Sequence, residues 1–263
     1  MKRKLALFLA LAALFAAAER ARPQSGQGSR PGKDSDLPTV QEENAAATAA
    51  NALIVQINAA MNNKQWQQAE DLLKQLIAAY PSVWRYQQTL GNAQLNLGQY
   101  DAAIGTYTGA INLAQAELDA KTPGADPQVT KTGIAQMLTS EGNAYLKQHK
   151  NDLAIAAYTK AAEISPNPGL AYFNICAVEY NTGNTTGAAL AACDQAIAAD
   201  PSKADAYFIK GSMLFSNGTV DAQGKYLLPP GTIEALEKYL QLAPSGAHAA
   251  DVKAMLDMAG VKH

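Results

Sequence analysis

Histidine, cysteine and tryptophan are scarce in this chain: three, two and two among 263 residues. The histidines, His149, His248 and His263, have no partner at metal-ligand spacing, and the HExxH, CxxC and CxxCH patterns are missing. The glycine-containing stretches GNTTGAAL and NLGQYDAAIG lack the lysine of a phosphate-binding loop. These absences remove the materials of metal hydrolysis, thiol redox chemistry and nucleotide binding. They predict a non-enzymatic chain with no catalytic residue, no metal and no cofactor. Excess positive charge is lacking too, since 21 basic residues face 23 acidic ones, which makes nucleic acid a poor partner.

Long apolar runs are limited to one, from Leu5 to Ala18, of about 14 residues, short of the roughly 20 that span a bilayer. Lys2, Arg3 and Lys4 precede it and the small residues Ala16 and Ala18 end it, the pattern of a secretory signal peptide over residues 1–18. The reading predicts cleavage after Ala18, export to the periplasm or cell envelope, and no integral span afterwards; the alternative is an uncleaved N-terminal anchor. Loss of the three cations would take the net charge from −2 to −5. Residues 19–39, rich in Pro, Gly, Ser and charge, read as a flexible linker. The body of the chain is residues 40–263.

In that body apolar residues recur at helical spacing, with Gly, Asn or Pro at the breaks. LGNAQLNLGQYDAAIGTYTGAI and EGNAYLKQHKNDLAIAAYTKAAEISP share a skeleton: a small residue, Asn and Ala, a turn, then Ala, Tyr and Ala. A small position recurs at Ile57, Gly91, Gly142, Cys176 and Gly211, spaced by 34, 51, 34 and 35 residues. An alanine position recurs at Ala69, Ala103, Ala154, Ala189 and Ala235, spaced by 34, 51, 35 and 46. The 51 is one period plus 17, which places one insertion at about 114–132; the 46 places another at about 216–231.

This skeleton resembles the tetratricopeptide repeat, a helix pair of 34 residues, in the manner of exported bacterial proteins of that family. The resemblance implies an all-α, right-handed superhelical array of antiparallel helix pairs. Repeats fall at about 50–83, 84–117, 135–168, 169–203 and 204–244, with a capping helix at about 246–260. It also implies a concave groove, lined by the first helix of each pair, that holds a protein or peptide. The matching positions are Arg85, Gln88, Asn92 and Asn96; Gln136, Thr139, Asn143 and Lys147; Phe173, Ala177, Tyr180 and Asn181; and Asp205, Phe208, Ser212 and Phe215.

Whether the second insertion, with Tyr226, Leu227 and Leu228, folds back over the aromatic half of that groove is left open by the sequence. Members that grip a C-terminal carboxylate use three cations and two asparagines. The corresponding positions here are Thr139, Asn143, Asn174, Asp205 and Ile209, so the cations are missing and that activity does not transfer. Because first helices lie side by side in the family, Glu179 and Lys210 are expected to form an ion pair; the alternative is that both side chains snorkel outward to water. Cys176 takes the small position of the fourth repeat and Cys193 its aromatic position, and these face each other in the family. With export, that implies a disulfide; a pair of reduced small residues is the alternative. The functional expectation is an exported adaptor that binds a protein or peptide. The alternative is an envelope-anchored tether whose repeats self-associate.

Overall fold

The computed structural model describes residues 40–224 and 226–262. The expected signal peptide and linker lie outside them. The chain falls into two compact units, divided between Ala125 and Asp126, inside the first expected insertion.

The first unit contains α1 (Val40–Asn62), α2 (Trp66–Ala79), α3 (Trp84–Asn96) and α4 (Tyr100–Asp119), each packed against the next. The second contains α5 (Pro127–Lys147), α6 (Asn151–Ile164), α7 (Gly169–Asn181), α8 (Gly187–Ala199) and α9 (Ala204–Ser216), then a hairpin of β1 (Thr219–Val220) and β2 (Tyr226–Leu227), then α10 (Thr232–Leu242) and α11 (Ala249–Met258). The array is all-α apart from that hairpin, whose antiparallel register pairs Thr219 with Leu227 and Val220 with Tyr226. No helix of the described residues is long and apolar enough to cross a membrane.

Pairing of the helices is dictated by small residues where their axes meet, because interiors are filled at crystal-like density. Ala69, Ala103, Ala154 and Ala189 are wholly buried and Ala235 nearly so. A Cβ added to Gly91 would lie 2.5 Å from the Tyr107 ring, and one added to Gly142 would lie 2.5 Å from the Tyr158 ring. Each glycine therefore gives its space to the aromatic one turn after the alanine of the following helix. Burial of such a ring contributes on the order of 1.5–3 kcal/mol, and the ring hydroxyls keep partners: Tyr107 donates to Asn92 Oδ1 at 2.7 Å and Tyr158 to Asn143 Oδ1 at 2.6 Å. Burial pushes the Tyr158 phenol up to about 12.

The turns inside the pairs repeat as well. Lys64, Gly98, His149 and Gly183 all take the left-handed conformation, at φ 58°, 76°, 59° and 74°. Their spacing follows the same 34, 51, 34 pattern. Glycine adopts this region freely, whereas Lys64 and His149 hold it against their own Cβ. Pro81, Pro166 and Pro201 stand one residue past the C-caps of α2, α6 and α8, because the residue before proline is driven out of the helical region. In the first insertion, Asp126 caps α5 by accepting from the Gln128 amide at 2.9 Å, and Pro127 opens the helix. The insertion thus lengthens α4 to 20 residues and α5 to 21.

Candidate binding site

The fourth and fifth pairs abandon the glycine and tyrosine arrangement. In the fourth, Cys176 of α7 and Cys193 of α8 are joined in a disulfide, with Cα atoms 4.9 Å apart and both side chains wholly buried. Ala177 stands where the other pairs have Asn92 and Asn143, and no tyrosine hydroxyl arrives to need an acceptor. In the fifth, Gly211 meets Leu236, 2.6 Å from an added Cβ. The hydroxyl of the buried Tyr239 accepts from the His248 amide at 2.9 Å. Ser212, at the asparagine position of this pair, is left with a buried Oγ that has no hydrogen-bond partner.

Around Ser212 opens a pocket of about 610 Å³, within the range of small-molecule and side-chain sites. One wall is Tyr180 and Asn181 at the end of α7, continued by Gly183 and Thr185 of the following turn. The floor is Ser212, Met213, Phe215 and Ser216 of α9, and Met255 of α11 closes the far side. Met213 Sδ lies 4.0 Å from Cys193 Sγ, so the disulfide backs the floor directly. Among the described residues no Lys, Arg, Asp or Glu lines the pocket. The walls are thioether and ring, with hydroxyl and amide groups set among them. Such a surface suits a neutral ligand with an apolar body.

Of the expected groove positions, Tyr180, Asn181, Ser212 and Phe215 converge on this pocket. Phe208 does not. It is buried at 5% exposure, stacked on His248 with ring centroids 3.8 Å apart and planes 3° apart, and tilted against Tyr239 at 5.7 Å. It is a core residue because α11 and the segment before it fold over α9. Phe215 stacks on Tyr226 of the hairpin at 5.5 Å, so the second insertion folds back onto this ring, and no described residue of the insertion is among those lining the pocket. Phe173 is half-buried under Lys203, whose Nζ sits 4.5 Å over the ring; Asp205 is exposed in the first turn of α9, and Ala177 is half-buried.

Gln136, Thr139, Asn143 and Lys147 lie on α5. Gln136, Asn143 and Lys147 are exposed there, Asn143 being held by Tyr158, while the Thr139 hydroxyl is turned back to the Ala135 carbonyl at 2.8 Å.

In the first unit, Arg85, Gln88, Asn92 and Asn96 share α3. Arg85 stacks over Trp84 at 4.2 Å and faces Glu117, 3.9 Å away; Trp84 Nε1 donates to the same carboxylate at 3.2 Å. Burial lowers the Arg85 guanidinium below its ordinary range, offset in part by Glu117. Asn96 donates to the Asn92 carbonyl at 2.7 Å. Gln88 is half-buried beside them.

The expected Glu179–Lys210 pair is corrected. Lys210 Nζ reaches Asp194 Oδ1 of α8 at 2.5 Å, and the Glu179 carboxylate accepts from Asn184 Nδ2 at 2.6 Å. The cause is geometric: α9 packs against both α7 and α8, and Lys210 points to the α8 side, while Glu179 is engaged by the turn that closes its own helix. Among the described residues no group of three or more His, Cys, Asp and Glu side chains could hold a metal. Sequence reasoning missed Met213, Met255 and the turn residues Gly183 and Thr185. The methionines sit at core spacing and carry no signal of their own.

Comparison with known proteins places these observations. A search of curated proteins gave no match. Among solved structures, the chain is similar to YrrB, described as a tetratricopeptide repeat protein with an unusual peptide-binding site, at 16% identity and a TM-score of 0.55 over 82% of this chain and 98% of that one. It is similar to MamA, at 16% identity and a TM-score of 0.55 over 77% and 94%. It is also similar to MamA from Desulfovibrio magneticus RS-1, at 15% identity and a TM-score of 0.54 over 75% and 97%. These likenesses show the fold. The tetratricopeptide repeat profile matches residues 54–125, 139–204 and 179–228, well over half of the sequence. The chain therefore belongs to the tetratricopeptide repeat family.

Proposed function

We propose that this protein is an exported, non-enzymatic adaptor that binds a protein or peptide partner through the second unit. The observation that carries this reading is the convergence of first-helix residues from α7 and α9, together with Met255 of α11, on one open pocket with no charged group among its described lining residues. Largely apolar pockets with a few placed polar groups are the usual form of a recognition site. YrrB, of the same fold, is described by its peptide-binding site. Export is supported by the signal-like residues 1–18 and by a wholly buried disulfide, which forms and persists in oxidising compartments. The acidic balance of the chain speaks against nucleic acid as the partner.

The test is affinity capture from envelope extracts with the oxidised protein, beside Asn181→Arg, which places a cation at the exposed mouth of an uncharged pocket. The expected result is a partner retained by the wild type and lost with Asn181→Arg. Equal capture by both would overturn the pocket as recognition surface. A Phe208→Ala variant is unsuited to this comparison, because it opens the core. For localisation, the mature protein is expected to begin near Glu19 in the envelope or periplasmic fraction. An intact Met1 in an anchored chain would favour the tether.

A further inference from the structure

We infer that the pocket of the second unit selects an aromatic side chain with a neutral polar tip, that of a tyrosine in the partner. The inference rests on the adaptor reading and adds the identity of the anchor. Three of the lining groups are of the kind that contact rings well, the thioether of Met255 and the rings of Tyr180 and Phe215, while Met213 is wholly buried against the disulfide. Sulfur and ring edges attract a further ring beyond simple area burial. Among the described residues the lining carries no charge, which argues against a carboxylate, phosphate or ammonium tip, each of which would be desolvated there without a counter-charge.

The polar element is Ser212. The residue lines the pocket and is 7% exposed, and its Oγ is covered and has no partner. A buried hydroxyl left in this state is costly, and rotation about one torsion is all a serine needs to present it to a ligand. The fold explains why it is vacant. At the same position of the second and third pairs, Asn92 and Asn143 receive a tyrosine hydroxyl from their own pair. In the fifth pair the Tyr239 oxygen accepts from the His248 amide, and its hydroxyl makes no bond to Ser212. A tyrosine from a partner would supply the kind of group that the fold has diverted. Residues 19–39 contain no aromatic residue, so the N-terminal linker of this chain cannot supply it.

The test uses the full oxidised protein, labelled with ¹³C at the methionine methyl groups and assigned with single Met→Leu variants. The probes are N-acetyl-tyrosinamide, N-acetyl-phenylalaninamide and N-acetyl-leucinamide. The Met213 and Met255 signals are expected to move with the tyrosine amide while Met61 and Met137 stay still, with affinity falling in the order Tyr, Phe, Leu. Ser212→Ala is expected to weaken the tyrosine amide roughly fivefold, the loss of one ordinary hydrogen bond, and to leave the phenylalanine amide unchanged. Circular dichroism checks the fold of that variant, and Asn181→Arg, on the rim, is expected to weaken all three amides.

Unmoved Met213 and Met255 signals, or equal affinity for the tyrosine and leucine amides in the wild type, would overturn the inference. Selection of peptides from a random library separates it from the adaptor reading. Binders without a tyrosine, or with a footprint away from Met213 and Met255, sink the anchor and leave the adaptor standing. Amide binding without any selected peptide sinks the adaptor and leaves the pocket's preference standing.

Discussion

Replacing both Cys176 and Cys193 with alanine should loosen the second unit by an amount that the structure allows to be worked out. The two residues are 17 apart in sequence. Closing a loop of that size removes chain entropy from the unfolded state worth roughly 3 kcal/mol. Every 1.4 kcal/mol is about tenfold in an equilibrium constant, so opening of α7 and α8 should become roughly a hundredfold more frequent. Tryptophan fluorescence does not observe this directly, because Trp66 and Trp84 both lie in the first unit. The assay is native amide hydrogen exchange read by mass spectrometry on peptides from α7 and α8, where protection reports the free energy of opening.

The loss should have a repair written elsewhere in the same chain. Cys176→Gly, Ala177→Asn and Cys193→Tyr together rebuild the arrangement of Gly142, Asn143 and Tyr158. They regain a buried ring, on the order of 1.5–3 kcal/mol, and recover most of the lost protection. The reasoning is refuted if the alanine pair changes exchange in α7 and α8 by less than about threefold. It is also refuted if the triple variant is no more protected than the alanine pair.

Three further outcomes follow from features of single pairs. Gly142→Ala drives a Cβ to 2.5 Å from the Tyr158 ring and should destabilise the second unit by about 1–3 kcal/mol in urea denaturation, as overpacked cores do. His149→Gly, at a φ of 59°, should stabilise the same unit by about 1 kcal/mol, because it removes a left-handed Cβ at a turn where Gly98 and Gly183 already serve; a loss of stability would contradict the strain. In the first unit, Glu70 is buried and its hydrogen bond to Lys74, 2.8 Å away, holds its carboxyl below the ordinary value of 4.5. The folded pKa is depressed, so its contribution is fully present above pH 4.5 and fades as the pH falls through the folded value. Tryptophan fluorescence should show stability dropping below pH 4.5 in the wild type and less steeply in Glu70→Gln.

The helix pairs were legible because their contacts demand residues that cannot be exchanged freely. A glycine that yields its space to a tyrosine ring, and an alanine where two axes meet, leave a period that survives an insertion of 17 residues. The cysteine pair was legible for the same reason, since it occupies both sides of one such contact. The ion pair was not legible: a lysine on a helix that touches two neighbours can serve either, and the choice of Asp194 over Glu179 depends on rotamers that no spacing encodes. Phe208 was misplaced because its helix face reads the same whether it meets a partner or the segment carrying His248. The pocket was half legible. Tyr180, Asn181, Ser212 and Phe215 follow from the repeat and Met213 and Ser216 do not, while Met255 and the vacancy at Ser212 arise from how α11 closes on the fifth pair, an event with no counterpart in the other repeats.

The diverted hydroxyl of Tyr239 also limits how far the repeats are interchangeable modules. The second and third pairs are self-contained: each tyrosine is answered by an asparagine of its own pair, so either could be copied or deleted as a unit without orphaning a polar group. The fifth pair is not. Its tyrosine oxygen accepts from the backbone of His248, so a duplication that placed another helix pair after Leu242 would remove the donor to that oxygen. Growth of the array by copying is therefore open in its middle and restricted at the pair that meets α11, the helix that also brings Met255 to the pocket.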